Sequence, residues 1–560
     1  MWIEATTLGD LVDRTAEWRG DHEALVFPDA RVRYAELAGL IDGYARSLRA
    51  LGVGPGDHVG ILMPNRLEFV LALFGAAKLG AVVVPVNGRF KSHELGHVVA
   101  HADLRTLVVA SGPPATPDYP AMVAELFPEA AGQDPRALAL EAAPRLRQVV
   151  DLGSEQAQPG LLAAGAFAAA AEAVDPDEVH TLQARVRIRD VGLLMYTSGT
   201  TSHPKGCLLT HEAIVRHGLN VQRTRFRTTP DDRFWDPLPL FHIGGIVPLV
   251  GCLGLGATFY HAGHFDADQA LDTLVGERIT LAYPAFETIW LQVLDHPRFA
   301  VTDLEALRIV QNIAIPEALA RMDARLPTAI QVSSFGATEC SSNLTLPDPD
   351  DPLDVRIGTL GRPLPGMELK IVDPETGEER PTGVVGELCL RGYARFEGYY
   401  KDPEQTALAI DADGWFHTGD LGSVDDDGRL RYAGRLKDML KVGGENVSAL
   451  EVEGYLAGHD VVQIVQVVGV PDARYTEVPA AFVELRPGSS ATEDELVDFC
   501  VGRIATFKVP RYVRFVTEWP MSGTKIQKFV LRERLSEELA EAGITEAPRI
   551  DVRRRSVETA

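Results

Sequence analysis

Apolar residues alternate between two periods through the first two thirds of the chain. Residues 67–90, LEFVLALFGAAKLGAVVVPVNGRF, keep helical spacing up to Gly80 and then become a short valine run that suits a strand buried on both faces. The same helix, turn and strand order returns from residue 269 in QALDTLVGERITLAYP. It returns again over 304–335 as LRIV, a proline-started helix and IQVSSF. Repeated units of this kind predict an α/β body with mostly parallel sheets flanked by helices. Pro237 to His264 contains no Asp, Glu, Lys or Arg, yet its prolines, glycines and His242 predict buried strand and helix rather than a membrane span. Residues 111–180 are rich in Ala, Pro and Glu, with a helical LLAAGAFAAAAEAV, and read as an atypical surface insertion of mobile or helical character.

After about residue 357 the pattern shifts to short strands with glycine turns, as in GMELKIVDPETGEERPTGVVGELCLRG, which predicts an antiparallel β subdomain over about 357–434. Beyond Gly434 come KDMLKVGGENV, a helix near 449–457, strands QIVQVVGV and AAFVEL, a helix near 493–504 and a final strand around YVRFV. This is the pattern of a small α+β domain, so the chain divides into a large part, 1–434, and a small part, 435–560. No sequence period repeats, which excludes a solenoid.

With 560 residues, 46% hydrophobic and 24% charged, the chain is long enough for several cores. Its 54 basic and 79 acidic residues leave a net charge of −25, which argues against broad binding to nucleic acid or anionic membrane. A basic pocket inside that acidic surface stays open. The cysteines Cys207, Cys252, Cys340, Cys389 and Cys500 are far apart in no metal-ligand spacing, and read as buried free thiols in a reducing compartment. The first residues carry neither a basic start nor an apolar stretch, so a cytoplasmic location is expected.

The segment richest in chemistry is LLMYTSGTTSHPKGCLLTHEAI, residues 193–214: an apolar strand, a loop of Thr, Ser and Gly, one Lys, then a helix. Small residues, Gly199 among them, let backbone N–H groups approach phosphate oxygens. The hydroxyls of Thr197, Ser198, Thr200 and Thr201 can donate, and Lys205 adds a point charge. The loop lacks the GxxxxGK(S/T) spacing, and an ordinary hydroxyl-rich turn would carry the same residues.

YTSGTTSHPKG closely resembles the phosphate-loop signature of the ANL superfamily of acyl-CoA synthetases, peptide-synthetase adenylation domains and luciferases. Four further motifs follow in the family's order: FGATE at 335–339, GWFHTGD at 414–420, GRLKDMLKVGGENV at 434–447 and PMSGTKIQK at 520–528. LPLFHIGG at 238–245 and RIGTLGRPLPG at 356–366 extend the resemblance over nearly the whole chain. It implies an acid:CoA ligase that makes acyl-AMP and pyrophosphate from a small-molecule carboxylic acid and ATP with Mg²⁺, then acyl-CoA and AMP. The chain stops soon after its last lysine motif with no fused carrier segment, which favours free CoA. Delivery to a separate carrier protein or to an amine or other nitrogen nucleophile is the alternative, and a homodimer is compatible with either.

Residue by residue, the resemblance places Phe335, Gly336 and Ala337 beside the adenine, Thr338 on a phosphate, and Glu339 with Thr200 on Mg²⁺. A hard carboxylate oxygen suits that ion. Asp420 matches the ribose-binding Asp, assisted by Arg435. Lys525 matches the lysine that bridges substrate carboxylate and α-phosphate, where charge must be neutralised as it develops. Lys437 falls at the hinge between domains, while Lys441, Gly443 and Gly444 would serve the thioester-forming pose beside a pantetheine arm. His242 sits where the family has a flat side chain near the carboxylate and thiol channel. Three departures stand out: Ser202 replaces a loop Gly, Thr524 precedes Lys525 where Gly is usual, and Gln311, Asn312 and Ile313 stand where relatives have a small-residue turn beside the adenine.

Overall fold

The computed structural model describes residues 6–112, 116–153, 158–197, 204–301, 303–442, 445–522 and 525–550. Two seven-stranded sheets form the body. The first has the order Leu162–Ala163, Gln148–Asp151, Leu104–Val109, His58–Leu62, Val82–Pro85, Val191–Thr197 and Lys205–Thr210. Every pairing in it is parallel except the last. Val82–Pro85 is buried at all four positions, as its unbroken valine run requires at a sheet centre. The second sheet runs Ile330–Val332, Ile309–Ile313, Leu281–Phe286, Arg233–Trp235, Thr258–Tyr260, Glu23–Phe27 and Ala30–Arg33. One continuous apolar core joins residues of both sheets to the helices Tyr34–Ala50, Leu67–Lys78 and Ile243–Gly254.

The uncharged run from Pro237 resolves into the buried helix Ile243–Gly254 and strand Thr258–Tyr260. Among the described residues no helix is long and apolar enough to cross a membrane. The reading of 111–180 as a surface insertion is corrected: Gln148–Asp151 and Leu162–Ala163 extend the first sheet at its edge, and Tyr119, Val123, Leu138 and Leu146 lie buried beneath them. Its alanine-rich composition hid two short strands, whose burial comes from the neighbouring strand Leu104–Val109 rather than from a pattern of their own.

A four-stranded antiparallel sheet follows: Met367–Val372, Gly386–Gly392, Phe416–Val424 and Leu430–Arg435. Arg435 therefore pairs within this sheet, and the short 3₁₀ turn Leu436–Asp438 comes directly after it. The C-terminal five-stranded sheet, Glu445–Ser448, Met439–Val442, Thr476–Leu485, Val462–Asp472 and Tyr512–Phe515, has apolar clusters of its own. One packs Leu456 and Val467, the other Phe482 and Leu535. All five cysteines are buried and unbridged.

Candidate active site

The strand Val191–Thr197 leads into the hydroxyl-rich loop, and its hairpin partner Lys205–Thr210 brings the chain back, with Thr197 opposite Lys205 in register. Thr210 then caps the next helix by accepting the N–H of Ala213, so strand and helix are joined by one short connection. Ser198, Gly199, Thr200, Thr201 and Ser202 lie outside the described residues, as do Gly443, Gly444 and Thr524.

Lys205 Nζ donates to Gln405 Oε1 at 2.8 Å and stands 5.1 Å from the centre of the Tyr399 ring. Tyr399 in turn donates its hydroxyl to Glu339 Oε1 at 3.1 Å. Burial and then the neighbouring Glu339 charge raise the Tyr399 hydroxyl above its ordinary value, so it remains a donor. The same pair of causes holds the Cys207 thiol well above 9.0, which makes it an inert buried group of the strand Lys205–Thr210. A lysine, a carboxylate and the Thr197 hydroxyl thus stand together at the strand ends on either side of the loop. This set of hard oxygens beside a cation fits a divalent ion carrying a polyphosphate.

Phe335–Ala337 pairs antiparallel with Ser342–Leu346, and Thr338–Cys340 is a 3₁₀ turn, so three residues of chain separate Glu339 from Phe335. A Cβ on Gly336 would meet the Ser342 carbonyl oxygen at 2.0 Å. The glycine is thus demanded by the paired strand behind it, while its open side faces a cavity of about 1030 Å³. That cavity is also lined by Ser334, Phe335, Asp420, Tyr432, Arg435 and Lys437. Asp420 is buried, accepts the Tyr432 hydroxyl at 3.0 Å and lies 3.4 Å from Arg435 Nε. The Tyr432 ring stands 6.0 Å from that of Phe335.

Of the QNI departure, only Ile313 reaches the cavity. Gln311 and Asn312 are wholly buried and donate to Ser334 Oγ and Gln331 Oε1 at 2.7 and 2.9 Å. Neither amide is among the residues lining the cavity, because each is held by a partner on a neighbouring segment.

The far wall belongs to the C-terminal part. Ile526, Gln527, Lys528 and Phe529, directly after Lys525, line the same cavity, with Ser448 and Glu453. Lys525 itself begins the short strand Lys525–Ile526, paired with Met521–Ser522. Lys441 is exposed on Met439–Val442 and is not among the lining residues. His242 precedes the helix Ile243–Gly254 with its ring 4.7 Å from that of Phe241, and the cavity wall does not include it either. Tyr399, Gln405 and Tyr432 were not foreseen. They hold Lys205, Glu339 and Asp420 from other segments of the chain, Gln405 from the helix Pro403–Ala409 and Tyr432 from the strand Leu430–Arg435, and the sequence signal available for the two tyrosines was their place in EGYY and RYAGR.

A two-part α/β chain with a lysine and carboxylate at a hydroxyl-rich loop, and a buried aspartate across a cavity closed by a small domain, defines a nucleotide-using enzyme. The chain belongs to the AMP-binding enzyme family, whose profile matches residues 12–400, with the family's C-terminal domain matching 451–525. It is 37% identical over 539 residues to the Bacillus subtilis (strain 168) protein YngI, covering 95% of this chain and 97% of that one. It is 33% identical to the rat mitochondrial medium-chain acyl-CoA ligase ACSF2 over 545 residues, 95% of this chain and 88% of the relative. Among solved structures, the anthranilate CoA ligase AuaEII in complex with anthranoyl-AMP superposes with a TM-score of 0.83 at 28% identity, covering 96% and 98% of the two chains.

Proposed function

We infer that the protein is an AMP-forming acid:CoA ligase. A substrate carboxylate oxygen attacks the α-phosphorus of ATP and pyrophosphate leaves; the CoA thiol then attacks the acyl carbonyl and AMP leaves. The observation that carries this reading is one cavity shared by Asp420, Gly336 and the segment directly following Lys525. Residues 526–528, the end of the last motif, line the cavity together with Asp420, which supports a pose for the first half-reaction. Asp420 accepts the ribose hydroxyls, and Tyr432 and Arg435 fix its carboxylate. Lys205 and the loop hydroxyls take the β- and γ-phosphates, and Lys525 neutralises charge between carboxylate and α-phosphate. Glu339, with Thr200, holds Mg²⁺, which screens the polyphosphate charge when bound.

In the second half-reaction Lys437 serves as the hinge, Lys441, Gly443 and Gly444 come to the thioester site, and His242 lines the thiol channel. A general base at His242 is unnecessary, because an acyl-phosphate anhydride already carries a good leaving group. Pyrophosphate release across a panel of carboxylic acids, with ATP and Mg²⁺ and without CoA, tests the first step. Release that depends on one acid class is expected, and acid-independent release or none contradicts it.

A further inference from the structure

The Asp420 carboxylate projects from the strand Phe416–Val424 where its pairing with Gly386–Gly392 is irregular, between Glu387 and Cys389, and such an irregularity needs other contacts to hold it. Gly419, just before it, has φ +69°, in the left-handed region where glycine is favoured. Its N–H is donated to Glu387 Oε1 at 3.0 Å, from a neighbouring strand of the sheet. Glu387 is itself only 9% exposed, and its second oxygen lies 2.9 Å from His417 Nδ1. The far nitrogen of that imidazole, Nε2, lies 3.5 Å from Asp411 Oδ2. Asp411 uses its other oxygen to accept the N–H of Trp415 at 2.8 Å, closing the turn that precedes the motif. Thr418 completes the frame, donating to the Leu388 carbonyl at 2.9 Å and accepting the Asp420 N–H at 3.0 Å.

We propose that Glu387 is a positioning residue for nucleotide recognition: one carboxylate grips both Gly419 and His417 and thereby aims Asp420 into the cavity. Cys389 Sγ, 3.4 Å from His417 Nδ1, packs behind the pair. The proposal rests on the reading of Asp420 as the ribose acceptor. It adds that the precision of that contact is set one layer back, by a residue that touches no nucleotide. A buried carboxylate with two partners is expensive to disturb, since its removal leaves the Gly419 N–H without an acceptor.

Binding of ATP and of 2′-deoxy-ATP to the full chain, with Mg²⁺ and without acid, by titration calorimetry, tests both layers separately. The wild type should prefer ATP by roughly tenfold, and Asp420→Ala should erase the preference. Glu387→Ala should reduce it to about twofold or less. Glu387→Asp, which keeps the charge but is one methylene too short to hold both partners, should do the same and serves if the alanine variant does not fold. Glu387→Gln should retain the preference, because its amide oxygen still accepts from Gly419. If Asp420→Ala loses the preference while Glu387→Ala or Glu387→Asp keeps it in full, the positioning role is wrong and the ribose assignment stands. If the wild type does not distinguish the two nucleotides, the ribose assignment itself falls and the positioning role with it.

Discussion

Two anions must meet for an acid to attack ATP, and only a cation placed between them lowers that barrier without holding ATP more tightly in the ground state. Lys525 is assigned that place, in a strand pair whose next residues form the cavity wall. Lys525→Ala should therefore cut acid-dependent pyrophosphate release by roughly 100- to 1000-fold and leave ATP affinity within a few-fold of wild type. Unchanged release would remove Lys525 from the chemistry. A second residue of interest faces the same cavity from the body. Burial pushes the Glu287 carboxyl up from 4.5 to about 7; Arg321 opposes this shift, and Glu453 and Glu484 reinforce it. The folded state thus holds a proton that the unfolded chain releases above about pH 4.5, so the stability tied to it is complete below that value and is lost as pH rises through about 7. Glu287→Gln should show a smaller fall in Tm between pH 6 and 8 than the wild type, and parallel curves would refute the assignment.

At the scale of elements, whatever depended on local pattern was legible and whatever depended on distant partners was not. The helix Leu67–Lys78, the buried strand Val82–Pro85, the proline-started helix Pro316–Arg325 and the antiparallel run from Met367 all follow from spacing and turn residues within a dozen positions. The strands Gln148–Asp151 and Leu162–Ala163 did not, because they are short and are defined by the sheet edge they join. The need for Gly336 was legible but its cause was not: the sequence points to close approach of a ring, and the structure shows the Ser342 carbonyl in the way of a Cβ. Asp420 could be read from its motif, whereas Tyr432 and Glu387, which hold it and the Gly419 N–H before it, lie on separate strands, 12 and 33 residues away in sequence.

At the scale of the whole molecule, one pose serves one half-reaction. The segment 526–529 faces the cavity while Lys441 is exposed on another surface, and Arg321 reaches across to donate to the Ala457 carbonyl at 2.9 Å. In the mechanism proposed above, thioester formation requires the small part to turn about the short 3₁₀ segment that holds Lys437. Lys437→Pro restricts that backbone and should leave pyrophosphate release within about threefold while depressing acyl-CoA formation by roughly tenfold or more. Equal loss in both would place the hinge elsewhere. The central claim is tested most directly by incubating the enzyme with ATP, Mg²⁺, CoA and the acid class that supports pyrophosphate release, and weighing the products. The account predicts AMP and an acyl-CoA thioester in equal amounts. Pyrophosphate release with no CoA adduct would contradict it and assign the acyl group to a carrier protein or a nitrogen nucleophile.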